Sequence, residues 1–145
     1  MAHASEFVGT WRAVSWHRRT VATGQMDGMG LGPDPEGFIS YGVDGLMSVI
    51  LVKRDRPPPA TALPTDSEKL RLFDSMTAYA GTYTVNTDHL VHHIDVAWNQ
   101  SWVGTDLVRY FKMEGDLLTL TSASFRDTET GVEYEYVATW RRHRA

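Results

Sequence analysis

At 145 residues, with a net charge of −4 and no cysteine, the chain reads as one domain over residues 1–145, long enough to bury a real core. The acidic balance gives no reason to expect nucleic acid or an anionic membrane as partner, and the absence of cysteine excludes disulfides, thiolate catalysis and cysteine-ligated zinc. Five Trp and six Tyr are too many rings to ignore: they either fill a core or line a cavity.

The opening stretch Met-Ala-His-Ala-Ser-Glu-Phe lacks a basic-then-apolar leader, and no apolar run approaches ~18 residues, so a cytoplasmic setting is expected. A first strand is expected over 7–18, carrying Gly9-Thr10-Trp11-Arg12. Ala138-Thr139-Trp140-Arg141-Arg142 answers it on the last strand, which suggests an up-and-down barrel closing on itself. Residues 24–37 are rich in glycine, but the phosphate-loop spacing is absent and no helix is expected to follow; the segment reads as a connection covering a barrel mouth.

Runs at 38–43 and 46–53 flank Asp44-Gly45, a strong hairpin signal. Both faces of that hairpin are apolar, which leaves the direction of Tyr41 open. Pro57-Pro58-Pro59 stiffens the next connection. One helix is expected, at about 66–80: Thr65 and Glu68 have capping-box spacing, Leu70, Phe73, Met76 and Ala80 make a stripe, and Gly81 would end it. Strands then follow at 81–86, 89–98, 105–114, 117–126 and 132–142, with a two-residue turn at Gly115-Asp116 and a three-residue loop at Glu129-Thr130-Gly131. The expected fold is all-β, a single eight-stranded antiparallel barrel with one α-helix.

Turn type sets register, and register sets which side chains share a face. The two turns put Leu107, Arg109, Phe111, Met113, Leu118, Leu120, Ser122, Tyr134, Tyr136, Ala138 and Trp140 inside, with Ser122 opposite Ala138 and Leu120 opposite Trp140. On 89–98, Leu90, His92, Ile94, Val96 and Trp98 face inward, and His89, His93 and Asp95 outward. On the first strand Trp11, Ala13, Ser15 and His17 are expected inside, with Arg12, Trp16 and Arg18 outside.

Phe7-Val8-Gly9-Thr10-Trp11-Arg12-Ala13-Val14-Ser15, Gly32-Pro33-Asp34-Pro35-Glu36-Gly37-Phe38-Ile39-Ser40-Tyr41, Asp44-Gly45-Leu46-Met47-Ser48-Val49, Tyr79-Ala80-Gly81-Thr82-Tyr83, Val91-His92-His93, Trp102-Val103-Gly104-Thr105 with Val108-Arg109, and Gly115-Asp116-Leu117-Leu118-Thr119-Leu120 follow one another along nearly the whole chain. In that order they resemble the lipocalin-like domain family of small bacterial and fungal proteins. The resemblance implies a calycin-type barrel. It implies little about chemistry, because the family ranges from cofactor-free catalysts of natural-product biosynthesis to proteins of other kinds. His17 departs from the pattern, which commonly has an acidic residue there.

Arg109 is the most informative residue. A guanidinium between Leu107 and Phe111 on an apolar face needs a partner, either an anionic or carbonyl ligand or a structural carbonyl or Trp at the barrel base. His92 shares its face. With Ile94 paired to Arg109, His92 would lie diagonally beside the cation, an arrangement suited to moving a proton next to a carbonyl. The alternative is a buried neutral histidine bonded to Tyr or Ser. Ser15, His17, Tyr83, Trp98, Phe111, Ser122, Tyr134 and Tyr136 complete the expected ligand-contacting set around catalytic His92 and Arg109. No cofactor is expected, and strand alternation separates His92 from His89 and His93, so no metal site is expected either.

The reading is therefore a barrel that captures a hydrophobic, ring-containing small molecule. Cofactor-independent isomerisation, cyclisation or elimination in natural-product metabolism would accompany capture. The alternatives are a non-catalytic carrier, or a filled barrel acting through protein contacts at outward Trp16, Val108 and Tyr110. The oligomeric state stays open, a homodimer being one option.

Overall fold

A period of two in apolar residues demands strands, and the computed structural model, which describes residues 3–144, is built almost wholly from them. In chain order they are β1 (Gly9–Thr20), β2 (Met26–Asp27), β3 (Glu36–Tyr41), β4 (Leu46–Val52), β5 (Met76–Val85), β6 (His89–Ala97), β7 (Asp106–Glu114), β8 (Leu117–Ser122), β9 (Phe125–Arg126) and β10 (Glu133–Arg142). The α-helices α1 (Ala4–Phe7) and α2 (Asp66–Asp74) accompany them. Eight strands, β1, β3 to β8 and β10, pair antiparallel in a ring that β1 closes against β10. The remaining two are short extensions. This is the expected closed antiparallel barrel.

The two ends of the barrel differ. Tight connections after β3, β5 and β7 gather at one end, which α1 plugs with wholly buried Phe7. Trp11 is also fully buried there and donates its indole N–H to the Phe7 carbonyl at 2.9 Å. Arg142 lies under the Trp11 ring, 4.1 Å from its centroid, and donates to the carbonyls of Val8 and Glu6. Gly9 makes that approach possible: its φ of 127° is open to glycine, and Arg142 fills the space beside it. The opposite end, under the 21–35 connection and α2, is open.

Helix α2 stops at Asp74 instead of running to about 80. Its capping box forms, with Thr65 Oγ1 accepting from the Glu68 amide and Glu68 accepting from the Thr65 amide. Past Ser75, however, the residues expected on its stripe join β5, where Met76 pairs with Val52 and Ala80 with Ser48. Thr77, Tyr79, Thr82, Tyr83 and Thr84 suit a pleated surface better than a helix, and β4 needs a partner. Gly81 is not a helix terminator but a strand residue at a bulge, where any Cβ would collide with the His93 carbonyl oxygen.

Bulges also correct two expected faces. Between Ala13 and Ser15 the register against β10 shifts by one, so Ala13 faces Trp140, Ser15 faces Thr139 and Trp16 faces Ala138. Beyond Val14 the alternation inverts: Trp16 turns inward, while Ser15 and His17 go to the outer face. Opposite Gly81 the extra residue is Asp95, which leaves Val96 outside and 61% exposed.

Two other registers differ from expectation without changing faces. Ala138 opposes Leu120 and Trp140 opposes Leu118, a slip of two, because Asp127 and Val132 bracket a longer turn and an extra residue enters near Ala123. Leu90, not Ile94, opposes Arg109, a slip of four. Even slips preserve the inside set. On the 38–53 hairpin the connection has three residues, Gly42 pairing with Leu46, and Tyr41 points inward at 1% exposure.

Candidate functional site

The plugged half of the barrel is packed solid and the open half is hollow. A narrow inner chamber of about 40 Å³ lies over the core and opens into a vestibule of about 550 Å³. Six residues line both and form the neck between them: Trp16, Thr77, Trp102, Arg109, Ser122 and Tyr136. Trp140, Tyr79 and His92 lie deeper, in the chamber wall. Trp98, Phe125 and Leu31 line the vestibule, Leu31 coming from the glycine-rich connection over the mouth. Trp98 is held there by α2, its indole donating to the Phe73 carbonyl at 3.2 Å, and it meets Trp102 edge-on at 4.8 Å.

His92 is 1% exposed and both its ring nitrogens are engaged, Nε2 with the Tyr41 hydroxyl at 2.7 Å and Nδ1 with the Tyr79 hydroxyl at 2.8 Å. A neutral imidazole has one donor and one acceptor, so the direction of the chain can be assigned. The Tyr41 hydroxyl has no other partner among the described residues, and it would be left with an unpaired buried proton unless it donates to Nε2. Nδ1 therefore carries the ring proton and donates to Tyr79, whose own proton turns to the chamber. Burial holds the imidazole well below its usual range, with the Arg109 charge pushing the same way. Burial likewise raises both phenols, Tyr41 well above its ordinary value, although Arg109 beside Tyr79 pulls that hydroxyl the other way.

Arg109 stands at the neck with no carboxylate partner among the described residues; it donates to the neighbouring Val108 carbonyl at 3.1 Å and lies against the Tyr79 hydroxyl oxygen. The cation stacked on tryptophan at the barrel base is Arg142, not Arg109. The Trp16 and Trp140 indole N–H groups are buried and also find no acceptor among the described residues. Ser122 is already committed, donating to the Ala123 carbonyl and accepting from the Tyr136 amide.

The structure therefore brings together His92, Arg109, Ser122, Tyr136 and, at the rim, Trp98. It separates the others. Ser15 bonds Thr139 on the outer face, and His17 lies on that face too. Tyr83 is anchored to the Gly42 carbonyl at the plugged end, and Phe111 packs on Phe7 at 4.9 Å, both below the cavity. Tyr134 stacks under Arg18, 3.9 Å from its guanidinium, outside the chamber. The residues missed are Trp16, Tyr41, Thr77, Tyr79, Trp102 and Trp140. Period-two spacing of Thr77, Tyr79, Gly81 and Tyr83 was the available signal for Tyr79.

The lipocalin-like domain family matches this chain over residues 8–143, from the first strand through the last. The chain belongs to the lipocalin-like domain family. No match was found among curated proteins. A lipocalin-like barrel is a container for small molecules, and in this one the deep hollow is walled by rings and by a guanidinium with no counter-charge among the described residues. Among the described residues, no helix of this lipocalin-like chain is long and apolar enough to cross a membrane.

Proposed function

We propose that the barrel captures a hydrophobic, ring-containing small molecule, its ring body in the vestibule and a polar head at the neck. The observation that carries this is Arg109: a guanidinium without a counter-charge among the described residues, at the neck of an aromatic cavity. Such a group is costly to hold there unless a ligand partners it. Trp98, Trp102, Trp16 and Tyr136 supply flat apolar walls for the ring.

Capture is accompanied by turnover without a cofactor, an isomerisation, cyclisation or elimination in natural-product metabolism. Arg109 and the Tyr79 hydroxyl polarise one oxygen of the ligand, which acidifies the adjacent carbon. In an isomerisation or cyclisation the Tyr79 hydroxyl gives its proton to one ligand atom while its oxygen takes the proton leaving another, and in an elimination the departing group carries that proton away, so no co-reactant is consumed. His92 acts through Tyr79, to which it donates, rather than on the ligand itself. Tyr41 holds its tautomer.

The test uses an extract of small molecules from cells that make the protein naturally, incubated with wild type and with Tyr79→Phe. Mass spectrometry should find one component retained by both and converted by wild type, with turnover in the variant down by ~10²–10⁴. Retention without conversion by wild type would reduce the reading to a carrier. Retention by neither would overturn it.

A further inference from the structure

In the wall of the inner chamber, hydrogen-bond donors outnumber the acceptors available to them among the described residues. Arg109 offers guanidinium N–H groups, of which one is bonded to Val108 and another faces the Tyr79 hydroxyl oxygen. Tyr79 turns its proton inward, because its oxygen already accepts from His92 Nδ1. Trp140, 3% exposed, has a buried indole N–H without a partner. Ser122 is spent on the backbone. Among the described residues no carboxylate lines the chamber; Asp74 and Asp106 stand at the outer rim of the vestibule, where Asp106 is bonded to His93.

We infer that the ligand's head is a delocalised oxyanion, two oxygens sharing one negative charge, carried on a ring system. Counting distinguishes this head from a plain ketone. A ketone oxygen has two lone pairs and no charge, and it would leave donors from Arg109, Tyr79 or Trp140 unmet in a dry wall. A carboxylate or an enolised 1,3-dicarbonyl has about four acceptor sites and cancels the guanidinium charge, with the fork of Arg109 able to grip both oxygens. The volume agrees: about 40 Å³ admits a head of this size and excludes the ring, which stays in the vestibule. A cationic head is disfavoured by the same donors.

This inference rests on the proposed capture of a ring-bearing molecule, and the experiment separates the two. Quenching of tryptophan fluorescence, for which Trp16, Trp102 and Trp140 serve as reporters, is titrated with 2-naphthoate, the 2-acetyl-1,3-indandione anion and neutral 2-acetonaphthone. At least one anion should bind wild type about tenfold or more tightly than the ketone, and which anion leads tells carboxylate from enolate. In Arg109→Met that preference should vanish while the ketone still binds. Arg109→Lys, which keeps the charge without the fork, should retain only part of it. Ketone binding equal to that of both anions in wild type overturns the inference and leaves ring capture standing. Failure of all three probes to bind wild type overturns both.

Discussion

Trp16 faces Ala138 across the seam where β1 meets β10, and it does so only because Val14 is an extra residue with no partner on β10. Were Val14 paired in regular alternation, Ser15 and His17 would look into the barrel and Trp16 would look out. The neck of the cavity is thus set by one inserted residue.

Deleting Val14 removes the residue that has no partner on β10 and leaves Ala13 opposite Trp140 and Trp16 opposite Ala138. Trp16 should therefore stay in the barrel wall, and ring-compound binding should survive. Trp16→Ala, which empties the position itself, should cost about 3 kcal/mol and abolish that binding. Urea denaturation and a binding titration check both variants; a deletion variant that loses binding as fully as Trp16→Ala would refute this account of the bulge.

Tyr41→Phe leaves the Nε2 lone pair of buried His92 without a donor. The expected destabilisation is about 1–3 kcal/mol, read as a lower urea midpoint with unchanged slope. Tyr83→Phe makes a useful comparison, since the Tyr83 hydroxyl donates to the Gly42 carbonyl, away from the imidazole. It should move the midpoint less.

The pH dependence of stability follows from His92. Its imidazole titrates near 6.5 when unfolded and well below that when folded, because burial and then Arg109 oppose the charge. Between those two values the unfolded chain binds a proton that the folded chain does not. Stability present above 6.5 therefore falls as the pH drops through that window. Thermal midpoints at about pH 7.5 and about pH 5 should differ in wild type and differ less in His92→Gln. An equal drop in both would assign the acid sensitivity to other groups.

Arg142→Leu should loosen the plugged end. It removes two bonds to carbonyls, at Val8 and Glu6, and the stack under Trp11. About 2 kcal/mol is expected after allowance for partial exposure. Arg142→Lys should recover little, since a lysine is not a planar fork. Amide exchange should quicken around Trp11 and α1 before it does at the neck.

Much of the architecture was legible along the chain. Gly9-Thr10-Trp11 and Trp140 mark a closing seam, and Gly115-Asp116 pins β7 to β8 with Glu114 opposite Leu117. Arg109 stood out because a cation on an apolar strand face is costly whatever the register. The inside sets on β7, β8 and β10 survived slips of two and four residues, since even slips keep faces. Tyr79 was lost for a different reason: the capping box at Thr65 is a local signal, and it starts a helix without saying where pairing with β4 will end it.

Local alternation, turn chemistry and capping are properties of neighbouring residues, and from them the chain alone established a closed β-barrel with a cation on its inner wall. Single-residue bulges at Val14 and Asp95, the joining of Met76–Val85 to β4, and the clamping of His92 between Tyr41 and Tyr79 depend on strands far apart in sequence. Only closure of the ring decided them, because an extra residue becomes a bulge only when the partner strand has nothing to set against it.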